Sequence, residues 1–187
     1  MATDDAKRRL LRLQGYDYSQ AGGYFITLCA SDRAHLFGQI TDSKTQLSPV
    51  GELARRTWLN LPEWFPYVEL DCYVIMPNHI HGVLLLLPED RTRVVVVSSR
   101  NEDSAHVDRD HHKAGTLEKS LGAVIQAYKS GVTRECNQHS GEKSRLWQRG
   151  YYDHVIRDER GLERIREYVT WNPARGNSTR RTCNTRR

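Results

Sequence analysis

The run from His79 to Leu87 constrains the fold more than any other stretch, because beyond its two histidines every residue is apolar. A strand with one wet face would alternate in polarity, so a short run that is apolar on both faces reads as a central strand covered on both sides. Ahead of it, residues 67 to 75 (Tyr-Val-Glu-Leu-Asp-Cys-Tyr-Val-Ile) alternate at first and form another strand. Met76-Pro77-Asn78 is the tight connection between the two.

The remaining elements are arranged around this pair. Tyr24-Phe25-Ile26-Thr27-Leu28-Cys29 is rich in β-formers and reads as the first strand. Ser48-Pro49, followed by Gly51-Glu52, marks a helix start; Leu53, Thr57 and Leu61 continue at helical spacing, and Pro62 closes or kinks the helix. A second helix is expected from Thr116-Leu117-Glu118 to about Asn137, with Leu117, Leu121, Val124, Ile125 and Tyr128 on one face. Residues 147 to 156 alternate as a last strand. Asp158-Glu159-Arg160 then leads into a helix ending before Pro173. The order strand, helix, strand, strand, helix, strand, helix defines an α+β chain with a ferredoxin-like split βαβ antiparallel sheet packed by helices, plus an extra C-terminal helix.

At 187 residues, with 38% hydrophobic, the chain has the length and apolar content of one domain with one core. The expectation is a single domain over 1–173. Residues 88 to 115, polar and mixed in charge apart from Val94 to Val97, read as a mobile insertion, and 174–187, with five arginines and no acid, as a disordered basic tail. The net charge of +5 suits a polyanionic partner. Cys29, Cys72, Cys136 and Cys183 form no Cys-x-x-Cys pair, which argues against a zinc knuckle or disulfide framework. No run approaches the roughly 18 apolar residues of a membrane span, and the start lacks the apolar core of a signal peptide. A soluble, intracellular protein is expected.

Two features carry chemistry. In His79-Ile80-His81 the two-residue period of a strand points both imidazoles to one face, where two neutral rings can hold a divalent cation. A strand cap and a surface histidine would give the same pattern. On the final helix Tyr168 and Asn172 stand four apart, on adjacent turns of one face, beside the packing stripe of Leu162, Ile165 and Val169. A core-edge tyrosine and a helix-stopping asparagine before Pro173 account for these two equally well. His106, His111 and His112 lie in the polar segment and read as solvated, and His154 as structural. Lys129, Arg134, Arg145 and Arg149 are candidates for phosphate contacts, although a charged solvent face explains them too.

The chain resembles the REP-associated tyrosine transposases, a branch of the single-tyrosine HUH (IS200-like) transposases. The motifs that carry the resemblance are Gly15-Tyr16-Asp17-Tyr18-Ser19, Met76-Pro77-Asn78-His79-Ile80-His81-Gly82, Tyr128-Lys129-Ser130, Trp147-Gln148-Arg149 with Tyr151-Tyr152-Asp153-His154, and Ile165-Arg166-Glu167-Tyr168 leading to Asn172-Pro173. It covers nearly the whole chain and is least secure over 88–115. It implies that His79, His81 and Asn172 hold Mg²⁺ or Mn²⁺ and that Tyr168 is the nucleophile. The implied substrate is single-stranded DNA beside a hairpin such as a repetitive extragenic palindrome. The implied reaction passes through a 5′-phosphotyrosine and needs no nucleotide cofactor. Tyr16 and Tyr18 are expected to stack on bases, and Arg175, Arg180 and Arg181 to follow the backbone. A monomer in a bacterial cytoplasm, at the nucleoid, is expected. Two other readings are a palindrome-binding regulator without catalysis and a metal phosphohydrolase that uses water.

Overall fold

The computed structural model describes residues 13, 15–89 and 119–172. The reading of 90–115 as an insertion, the tail with Arg175, Arg180 and Arg181, and the three histidines of the polar segment all lie outside the described residues.

Strand β1 (Gly22–Cys29) is followed by a small hairpin, β2 (Gly38–Thr41) and β3 (Lys44–Leu47), then by helix α1 (Pro49–Leu59) and the single turn α2 (Leu61–Trp64). Strands β4 (Val68–Met76) and β5 (His79–Leu86), helix α3 (Leu121–Ser140), β6 (Tyr152–Ile156) and α4 (Glu159–Trp171) complete the chain. The main sheet has the order β4-β5-β1-β6, and every neighbouring pair is antiparallel. This is the expected ferredoxin-like order, with α4 as the extra helix. The expected central strand lies inside the sheet, and seven of its eight residues are buried. Among the described residues no helix is long and apolar enough to cross a membrane.

Helix starts follow local chemistry. Ser48 accepts a hydrogen bond from the Gly51 N–H at 3.0 Å, with Pro49 in the first turn. Asp158 accepts from the Gly161 N–H at 2.6 Å and so caps α4. Helix α3 begins at Leu121, after Lys119 at φ +56° and an extended Ser120 that accepts from the Ala123 N–H; the expected start at Thr116-Leu117-Glu118 lies outside the described residues. The last strand is also shorter than expected: Gly150, at φ +74°, turns the chain, leaving Trp147 in an isolated bridge to Ala30 before β6 begins at Tyr152. The β2–β3 hairpin is absent from the sequence reading; its strands are only four residues long, and alternate between half-buried and exposed positions.

The two sheet faces divide the labour. Tyr24, Ile26 and Leu28 of β1, with Ile80 and Leu84 of β5, form the fully buried face beneath α1 and α3, where Trp58 and Tyr128 meet edge to face. Gly82 lies on this face because Trp58 takes the space: an added Cβ would sit 2.4 Å from the Trp58 ring. On α1 the buried stripe runs through Ala54, Thr57 and Trp58, so Leu53 packs only at its margin. The opposite face carries Phe25 and Thr27 of β1, the two histidines of β5 and, by register, Tyr152 of β6.

Candidate active site

The second face is where α4 crosses. Its attachment to the sheet is an ion pair between Arg166 and Asp71 of β4, with Nε to Oδ1 at 3.0 Å and Nη2 to Oδ2 at 2.6 Å. Asp71 sits where the β4–β5 register shifts, between Leu70 and Tyr73, so the irregularity turns a carboxylate toward the helix. The Arg166 guanidinium holds the Asp71 carboxyl below the usual carboxylate range. Arg166 also reaches Glu163 at 2.5 Å and Glu159 at 3.5 Å on its own helix.

Two residues beyond Arg166, the Tyr168 hydroxyl lies 3.2 Å from Nε2 of His81. The rings of His79 and His81 have centroids 4.6 Å apart, and Phe25 stacks on His81 while meeting Tyr168 edge-on. Each histidine is braced through Nδ1. His79 Nδ1 is 2.7 Å from Asn78 Oδ1, and His81 Nδ1 is 2.8 Å from Thr27 Oγ1. With Asn78 Oδ1 accepting, the His79 proton is on Nδ1 and the lone pair is on Nε2. Such outer hydrogen bonds fix the tautomer and orientation of a ligand histidine. Burial pushes His79 down to about 4, and burial together with the His79 neighbour pushes His81 well below its ordinary value. Both rings are therefore neutral at pH 7.

His79 Nε2 and the Asn172 amide nitrogen are buried with no hydrogen-bond partner. An unsatisfied buried polar atom costs roughly 1–3 kcal/mol unless something binds it. Asn172 itself is 8% exposed, one turn past Tyr168 at the end of α4. Among the described residues no three His, Cys, Asp or Glu side chains cluster as a metal site. The donors that the geometry brings together are thus the two imidazoles, beside the Tyr168 hydroxyl.

The other sequence candidates fare differently. Tyr18 is buried, its hydroxyl accepts from the Leu13 N–H, and its ring packs on Tyr16 and Tyr24, so it belongs to the core rather than to a stacking surface. Tyr16 is half-buried in the same cluster, 3.4 Å from the Tyr24 hydroxyl. The Lys129 amine donates to the carbonyls of Gln148 and Gly150, each at 2.8 Å, and burial lowers it to about 8. It braces the turn before β6 instead of projecting into solvent. Arg134 and Arg149 are exposed as expected. Sequence reasoning missed Thr27, Asn78 and the Asp71–Arg166 pair. Thr27 was the one legible signal, the only aliphatic hydroxyl in the β1 run.

No family model matches the chain. An uncharacterised protein of Haemophilus influenzae is 35% identical over 166 residues, 89% of this chain and 88% of that protein. A second H. influenzae protein, assigned as a REP-associated tyrosine transposase, is 24% identical over 85% of this chain and 74% of its own length. A solved REP-associated tyrosine transposase, bound to a REP hairpin, superposes with a TM-score of 0.56 at 18% identity, covering 88% of this chain and 73% of that one. The fold of the chain is therefore similar to that of a solved transposase. In sequence and in fold the chain is thus similar to REP-associated tyrosine transposases.

Proposed function

We propose that the protein is a metal-dependent DNA transesterase that cuts and rejoins single-stranded DNA beside a hairpin, with Tyr168 as nucleophile. The observation that carries the reading is the Tyr168 hydroxyl 3.2 Å from Nε2 of His81, beside a second buried histidine whose Nε2 has no partner. A packing tyrosine does not require two neutral, outer-braced imidazoles beneath it. The related structure holds a REP hairpin, and hairpin DNA is accordingly the substrate class proposed here.

His79, His81 and Asn172 would hold the ion, Asn172 through its amide oxygen. The unpartnered Nε2 and amide fit such a group, and mixed nitrogen and oxygen donors suit Mn²⁺ better than Mg²⁺, which favours oxygen ligands. A bound divalent ion would withdraw charge from a phosphate oxygen and orient the phosphorus. The Tyr168 oxygen then bonds to phosphorus as the bond from phosphorus to the 3′ oxygen breaks. The phenolic proton leaves to an acceptor at the site, and the departing 3′ oxygen takes up a proton. The product is a 5′-phosphotyrosine and a free 3′-hydroxyl; one phosphoester replaces another, so the reverse reaction rejoins strands without ATP.

The test uses a hairpin oligonucleotide with a single-stranded flank, labelled on the 3′ side of the cut, in Mn²⁺ or Mg²⁺. Wild type should carry the label through denaturing electrophoresis, and mass spectrometry should place it on Tyr168. Tyr168→Phe keeps the ring and should bind DNA but form no adduct. Cleavage with free 5′-phosphate ends and no adduct would mean a water-using hydrolase, and binding alone a regulator.

A further inference from the structure

A basic pocket borders the strand end that pairs with His79. A pocket of about 490 Å³ lies between the end of β1 and the start of β6, lined by Cys29, Arg33, Arg145, Arg149 and Tyr152 among others. Pockets that hold a small ligand run from roughly 300 to 1,000 Å³. Three guanidinium groups line this one against a single carboxylate, Asp32.

Register places the pocket next to the proposed chemistry. Cys29 pairs with His79, and Thr27 pairs with His81 on one side and Tyr152 on the other, so Cys29 and Tyr152 share the sheet face of the histidines. Asn78 bridges the two regions, because its Oδ1 meets His79 and its amide nitrogen reaches the Arg33 carbonyl at 3.5 Å. The far wall is stiffened from behind, where Lys129 clamps the carbonyls of Gln148 and Gly150 and the Gln148 N–H donates to the Cys29 carbonyl at 2.9 Å. Helix α4 lies over Asp71 of β4 and His81 of β5, which its Arg166 and Tyr168 reach.

We propose that this pocket seats a nucleotide of the single strand flanking the phosphate attacked by Tyr168, with Arg33, Arg145 and Arg149 on backbone phosphates and the Tyr152 ring against a base. The proposal rests on the transesterase reading for its position, although binding itself does not require the reaction. Guanidinium groups match phosphate oxygens in a planar fork. Aromatic stacking accepts any base, so the pocket is expected to be tolerant of sequence and selective for unpaired strands.

The experiment is fluorescence anisotropy on the full chain carrying Tyr168→Phe, in chelator, with a labelled oligothymidylate of about twelve nucleotides and, separately, a blunt duplex. Adding Arg33→Ala with Arg149→Ala should weaken oligothymidylate binding at least tenfold. It should also lower the salt slope by about 1.4, for two phosphate contacts on a single strand. Tyr152→Leu should weaken it about 5- to 150-fold, the range for one stacked base. Duplex binding should change far less, and Arg55→Ala, on α1 and outside the pocket, should leave both unchanged. If Tyr152→Leu melts early, the arginine pair decides alone, since those side chains are exposed. Equal losses on duplex and single strand, unchanged binding in the arginine pair, or no oligothymidylate binding by the parent protein would each overturn the proposal. A missing adduct in the earlier test with retained pocket binding would strike only the catalytic reading.

Discussion

Replacing Asp71 with asparagine tests whether the ion pair to Arg166 positions the nucleophile. The substitution keeps the side-chain shape and removes the charge that receives the guanidinium through two hydrogen bonds, of 3.0 and 2.6 Å. A charge-assisted bond is worth about 1.5–3 kcal/mol when buried, whereas an exposed ion pair is worth about 0.2–1. Asp71 is 13% exposed and Arg166 38%, so solvent screening pulls the value toward the lower range. Arg166 also keeps Glu163 as a partner, which prevents an orphaned charge. A loss of about 1 kcal/mol is expected, a fall in Tm of about 2–4 °C for a chain of this size. If the same energy holds α4 over the histidines, the rate of Tyr168 adduct formation at saturating DNA should fall about fivefold. The Asp71→Arg, Arg166→Asp exchange should restore part of the rate. The acid limit has a defined sign: the Asp71 carboxyl is held below its ordinary value, so the pair stabilises the fold above about pH 4 and is lost as the pH falls through the lowered value. A lowered Tm with an unchanged adduct rate would refute the positioning argument and leave the pair a purely structural contact.

The buried histidines give a second pH window. His79 titrates near 4 in the folded chain and near 6.5 unfolded, so in chelator stability should decline as the pH drops from about 6.5 to 4, by on the order of 3 kcal/mol. Denaturant titrations across that range should show the slope, and His79→Gln should flatten it. Gly82→Ala places a methyl 2.4 Å from the Trp58 ring and should cost about 1–3 kcal/mol by overpacking; Trp58→Phe in the same chain should recover part of the Tm, and an undisturbed Tm in the single variant would show that α1 moves aside freely.

The local rhythm of the chain determined a good deal. A run of β-formers placed β1, alternation β4, an unbroken apolar run β5, and helical spacing or end signals α1, α3 and α4, because a strand or helix must bury one stripe or face whatever its partners are. The same rule put both histidines on one side of β5 from sequence alone, and the spacing of Tyr168 and Asn172 put them on one side of α4. Which helix covers which sheet face was beyond it. The contacts that answer that question join residues far apart in the chain, as Asp71 does with Arg166, Thr27 with His81, and Gly82 with Trp58. Polar side chains were the least legible for the same reason. Lys129 looks like any exposed lysine until two carbonyls of a distant turn close on its amine, and Tyr18 like a loop aromatic until Tyr16 and Tyr24 enclose it. A charged or aromatic group takes its role from what desolvates it and what completes its hydrogen bonds, and here both are supplied by neighbours that only the folded chain brings together.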